Sequence, residues 1–360
     1  MIAPELTAGV AAGMIGPIKI RECGMRRSIG FSLGLFLWSL FLPHLAAAQC
    51  AGTDLLAGME TTDPAAHAAL FQRAHAVQNA RGKFWRVSRA GTPDSYLFGT
   101  FHDTGIARLP LDPAVTNALD SARLMLVEVT EEEQALMQAR MASDPTFVVD
   151  PRRVGISGQL SAAERAVAER ALAGRGVTLQ VADKLRPWML FSLLAVPQCM
   201  LHEAQQGQPT LDALLMSSAA EAGIPVAGLE TYRQAISSVA SIPASTMNEL
   251  LLEMLRDLSG EEDTRRTSVT LYQAGEIAAI WEFSIVSGAE TVGIARSREI
   301  FAELADLLLD IRNRAWMKAM MPQLETGGVF AAFGAMHLVG EAGVIELLRA
   351  RGFEVTRLDG

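Results

Sequence analysis

Two histidines stand in matched settings near opposite ends of the chain. The first closes Gly99-Thr100-Phe101-His102 within YLFGTFHD; the second closes Gly334-Ala335-Met336-His337 within VFAAFGAMHLVG, 235 residues later. Each setting is an apolar run, a glycine, two residues and a histidine. Neutral imidazole accepts protons and binds divalent metals, so two copies delivered to one place suit either chemistry. In α/β sheets ligands gather beyond the carboxyl ends of strands. A histidine just past such an end faces that crevice, and two from neighbouring strands would face each other.

Divalent ions favour mixed imidazole and carboxylate sites, and Glu128 is the foremost carboxylate. It ends the otherwise apolar run LMLVEVT, where a buried, unpaired charge is costly; the alternative is a strand-end glutamate facing water. Glu230, in VAGLET, also follows a strand-like run and reads equally as a helix cap or dipole partner. Arg312 and Asn313 lie in DIRNRAW with Trp316 one helical turn on. Arg312 suits a substrate carboxylate or an oxyanion, or else a structural ion pair. His102, His337 and Glu128 are thus the candidate metal ligands, and Glu128, Glu230 and Arg312 the candidate catalytic groups. Gly99 and Gly334 are expected to free the backbone at the two strand ends.

Rival chemistries lack their signatures. The segment after residue 48 holds no G-x-S-x-G, HExxH, P-loop, helix-opening G-x-G-x-x-G or CxxC. What remains is metal-assisted hydrolysis, in which an ion acidifies water and polarises a carbonyl while a carboxylate acts as general base.

The elements that must position these residues read as an α/β fold. FWRVS and SYLFGT are strand-like with turn chemistry between them, which predicts a hairpin. A helix enters through Pro113, and strand LMLVEVT follows. Residues 131–220 are mostly helical; SAAERAVAERALAGRG carries a capping box at Ser161 and Glu164. IPVAGLE is a short strand, 232–321 returns to helix, and the chain closes as strand, helix, strand. The expectation is a mixed central sheet built from both ends of the mature chain, with a large helical insertion or cap over about 131–220.

The first 48 residues read as a leader. Arg26 and Arg27 precede SIGFSLGLFLWSLFLP, and Ala46–Ala48 supply a small-residue cleavage site; Met25 is a second possible start. A lipid anchor at Cys50 and an uncleaved N-terminal anchor are the alternatives. Residues 49–360 then form one domain, periplasmic or secreted. Losing the leader removes four Lys/Arg and two Asp/Glu and takes the net charge from −9 to −11, which disfavours nucleic acid as a partner. No later segment is apolar enough to span a membrane. Cys50 and Cys199, the two cysteines left, point to one disulfide in an exported chain, with two unpaired thiols as the alternative.

Taken in order, FWRVSRAGTPDSYLFGTFHD, LMLVEV, AGIPVAGLETYRQA, IRNRAW and AAFGAMHLVGEAGVIELLRARGFEVTRL resemble the TraB/PrgY/GumN family over residues 84–358. That family includes the TIKI metalloproteases and is related to the erythromycin-esterase/ChaN-like group. The resemblance implies a divalent-metal centre (Mn²⁺, Co²⁺ or Zn²⁺) at His102, His337 and Glu128, lined by Glu230 and Arg312 and shaped by Gly99 and Gly334. It implies an exported hydrolase acting on a peptide or protein, with haem or other ligand binding of the ChaN-like kind, or a non-catalytic envelope or polysaccharide role, as alternatives. One departure is Ile311, where the family often carries a glutamate before the arginine; Asp310 is the nearby candidate to pair with Arg312.

Overall fold

A computed structural model describes residues 50–256 and 260–359; the leader expected over 1–48 lies outside these. The predicted hairpin forms from β1 (Phe84–Ser88) and β2 (Ser95–Thr100), with Phe84 opposite Phe98. The remaining strands are β3 (Leu124–Val127), β4 (Val226–Gly228), β5 (Val329–Gly334) and β6 (Glu354–Arg357). They form one mixed sheet in the order β4-β3-β5-β2-β1-β6. β5 from the C-terminal end inserts between β3 and β2, parallel to both, with Gly334 beside Thr100 and Ala332 beside Val127. β4 is parallel to β3, so β2, β3, β4 and β5 all end at one edge of the sheet.

The apolar runs of β3 and β5 suit central strands covered on both faces. Alternation sends Phe330 and Ala332 to one face with Phe98 and Met125, under helices Leu211–Glu221, Glu261–Gln273 and Ile277–Val292. It sends Val329, Ala331 and Phe333 to the other face with Leu97 and Leu126, under helices Ile311–Leu324 and Val344–Arg349. The period of two thus splits one strand between two cores.

A third core belongs to the helical cap. Met137, Leu172, Leu190 and Leu193 pack there with Ile236, Leu251, Leu255 and Leu304. The cap therefore reaches past residue 220 and draws in helices Tyr232–Ala240, Ala244–Arg256 and Ile294–Ala305. Within the expected insertion, helix Leu211–Glu221 instead packs on the sheet. The capping box at Ser161 and Glu164 is present.

Cys50 and Cys199 are bonded, with Cα atoms 5.1 Å apart, across 149 residues. The same N-terminal segment is held by backbone N–H donations from Ala51 to Glu262, Thr53 to Asp263 and Leu55 to Thr267. Among the described residues no helix is long and apolar enough to cross a membrane.

Candidate functional site

The shared carboxyl edge of the sheet gathers the candidate residues. His102 follows β2, Glu128 follows β3, Glu230 follows β4 and His337 follows β5 on a short 3-10 turn, Ala335–Leu338. Arg312 reaches the same place from the first turn of helix Ile311–Leu324, which continues directly from a π-helical turn, Asp306–Asp310. Such a turn changes the helical register and is often found beside functional sites. Here it brings the Leu308 carbonyl to accept from Arg312 Nη1 at 3.0 Å.

Both imidazoles are fixed in one tautomer. Asp212 Oδ2 lies 2.7 Å from His102 Nδ1, and a carboxylate only accepts, so Nδ1 carries a proton and Nε2 is turned into the site. Thr100 Oγ1 donates to the other Asp212 oxygen at 2.6 Å and holds it in place. At the second histidine, Asn313 Nδ2 donates to the Ala342 carbonyl at 3.0 Å, which turns Asn313 Oδ1 toward His337 Nδ1 at 2.6 Å. His337 therefore also donates through Nδ1 and presents Nε2. The two Nε2 atoms lie 3.9 and 4.0 Å from the same oxygen, Glu128 Oε1.

Arg312 ties this arrangement together. Nη2 donates to Glu128 Oε2 at 2.6 Å and also to Glu230, while Nη1 stands 3.2 Å from His337 Nε2. Its guanidinium lies over Trp316, whose ring is also 4.2 Å from that of His337. Glu128 Oε1 accepts the Gly334 N–H at 2.7 Å. Burial opposes ionisation of Glu128, but Arg312, the two histidines and the Gly334 N–H outweigh it and hold the carboxyl well below its ordinary range. Burial, reinforced by the Arg312 charge, pushes His337 down to about 3, so it is neutral at physiological pH. Glu230 is pushed up by burial against the pull of Arg312.

Three expectations change. Asp310 pairs with Arg314 at 3.7 Å rather than with Arg312, whose acidic partners come from β3 and β4. Thr231, not Glu230, caps the helix that follows β4. The motif glycines matter for space, not for backbone freedom, because neither has a positive φ. A Cβ on Gly99 would sit 2.7–2.8 Å from Leu338 and Ala335, where the second loop crosses the first. A Cβ on Gly334 would point between Glu128 Oε1, at 3.2 Å, and His102 Nε2, at 3.7 Å.

Asp212 was invisible to motif reading, since an acidic residue in the first turn of a helix is ordinary dipole chemistry. The ion pair of Arg265 with Asp103, the residue after His102, also went unseen; its bonds are 2.6 and 2.7 Å. These groups form the polar floor of a cavity of about 530 Å³. Its walls come mainly from the cap and include Met137, Phe191, Met254, Trp281 and Phe301.

Among the described residues, no three His, Cys, Asp or Glu side chains are spaced to hold a metal ion as they stand. The donors nevertheless suit one in kind. Each histidine gives its Nδ1–H to a carboxylate or amide oxygen, as metal-binding histidines do, and both Nε2 atoms face one carboxylate oxygen. The cation that meets Glu128 in this arrangement is the Arg312 guanidinium.

No curated protein matches the chain. The TraB/PrgY/gumN family model matches it over residues 83–357, and the chain belongs to that family.

Proposed function

We propose that the protein is an exported hydrolase of peptide or related acyl bonds, with its reaction centre at His102, Glu128, His337 and Arg312. One observation carries the reading: two tautomer-fixed imidazoles present Nε2 to a single ionised carboxylate at the floor of an apolar cavity. Asp212 orients the His102 ring and supports the basicity of its Nε2, and Glu230, the carboxylate outside the ligand set, takes the proton of an attacking water. Arg312 steadies Glu128 and Glu230 and offers positive charge where a carbonyl oxygen becomes negative. The apolar walls limit bulk water and strengthen these charges.

His102, His337 and Glu128 would hold a divalent ion (Mn²⁺, Co²⁺ or Zn²⁺), with Arg312 giving up its contact to His337 Nε2. When bound, the ion supplies Lewis acidity to the carbonyl and to the attacking water. The Cys50–Cys199 disulfide supports an oxidising compartment, and with it a leader over 1–48 followed by one domain over 49–360.

Metal analysis of the purified protein tests the ion, alongside hydrolysis assays in chelator and with each metal restored. His102→Ala and His337→Ala should each lose bound metal and activity together; unchanged metal content in both sinks the metal centre. A Soret band on adding haemin would instead favour the ligand-binding alternative.

A further inference from the structure

Glu253 lies on the wall of the same cavity, on helix Ala244–Arg256 from the cap. Among the described residues, no hydrogen bond or ion pair reaches its carboxyl group. Helix Ile277–Val292 makes room for it with Gly288. A Cβ there would lie 3.3 Å from Glu253 Oε1, 3.2 Å from Ser297 Oγ and 3.5 Å from the Phe301 ring. Met254, Trp281 and Phe301 supply apolar surroundings. Burial alone pushes the Glu253 carboxyl up to about 7, because no neighbouring cation or donor opposes it.

The cavity's own cations are committed elsewhere. Arg265 is bound to Asp103 through two bonds, and Arg312 to Glu128 and Glu230. Of the other acidic residues on the wall, Glu261 is paired with Arg175 and Glu290 is exposed to solvent. Beside Glu253 an anionic ligand therefore meets no cation, since those of the cavity are held at its floor, whereas a cationic one meets a carboxylate within apolar surroundings. A half-buried carboxylate that lacks a partner carries part of the cost of desolvation, and a ligand cation with N–H donors offsets that cost.

We infer that Glu253 recognises the ammonium group of an apolar ligand, so the substrate of this site is a hydrophobic amine, such as an apolar peptide segment bearing an amino group. That the ligand is a substrate rests on the hydrolase reading; that it is an apolar amine does not.

Calorimetric titration of the full chain at pH 8 with decylamine, decanol and decanoate tests the inference. Decylamine should bind about tenfold more tightly than decanol, with decanoate weakest. Glu253→Gln should bring decylamine to the level of decanol, and His102→Ala should keep the preference. Equal binding of the three ligands by the wild type overturns the inference without recourse to any variant. So does a preference that survives Glu253→Gln, or one that disappears only in His102→Ala, since the reader would then be the carboxylates of the floor. An amine preference in a protein that hydrolyses nothing would sustain the inference and sink the hydrolase reading.

Discussion

Asp212 and His102 are 110 residues apart in the chain, yet Asp212 Oδ2 lies 2.7 Å from His102 Nδ1 and turns Nε2 toward Glu128. Asp212 joins the site from a helix packed on the sheet, and Thr100, two residues before His102, orients it. The histidine and its partner are therefore held by the same strand end.

Asp212→Asn keeps the shape of this contact but removes the charge and permits the opposite tautomer. The expected outcome is a loss of about 10²–10⁴-fold in kcat with KM little changed. Co²⁺ or Mn²⁺ affinity should fall about 10–100-fold. Steady-state kinetics and equilibrium dialysis check the two effects, and thermal unfolding should show little change.

Gly334 and Gly99 should separate site from scaffold. Gly334→Ala places a methyl 3.2 Å from Glu128 Oε1 and should reduce activity and metal uptake far more than stability. Gly99→Ala drives a methyl into Ala335 and Leu338 at 2.7–2.8 Å, an overpacking cost of about 1–3 kcal/mol. Urea unfolding beside metal binding distinguishes them.

Arg312→Met leaves Glu128 and Glu230 together at the carboxyl edge of the sheet without their cation. Breaking a buried pair in this way costs about 3–5 kcal/mol. Adding Glu230→Gln should recover part of the loss, because one of the two uncompensated charges is then absent. Denaturant midpoints of the single and double variants measure it.

Glu253 should leave a signature in the pH dependence of stability. Its folded value, about 7, is above the ordinary 4.5, so between these values the folded state binds more protons than the unfolded state. Stability from this group therefore falls as pH rises from 4.5 to 7 and is level above that. Glu253→Gln should be more stable than the wild type at pH 8, and the difference should shrink as pH falls below 7. Thermal melts across pH 4.5–8.5 check the sign.

Cys50→Ser with Cys199→Ser opens a loop of 149 residues, for which the entropic estimate is roughly 3–5 kcal/mol. Unfolding with and without reductant should differ in the wild type and coincide in the double variant.

Much of the fold was legible because local patterns carry it. The hairpin, the apolar runs of β3 and β5, the capping box at Ser161 and the closing strand–helix–strand each lie within a short window. His102, Glu128, Glu230 and His337 stood out because each follows a strand-like run, and the parallel strands bring those ends to one edge. Asp212, Glu253 and the Arg265–Asp103 pair were not legible. Each is an ordinary helical or loop residue whose significance depends on a partner, or a cavity wall, supplied by a distant segment.

The sequence by itself determined the family, the period of each strand and the residue types available for chemistry, since these depend on near neighbours. Only the tertiary structure decided that β5 inserts between β3 and β2. That insertion sets both Nε2 atoms beside one Glu128 oxygen and gives Arg312 two acidic partners from separate strands. The physical reason is that strand order and cap placement follow from burying the apolar cores of both sheet faces and of the cap together, a condition on the whole chain that no local window contains.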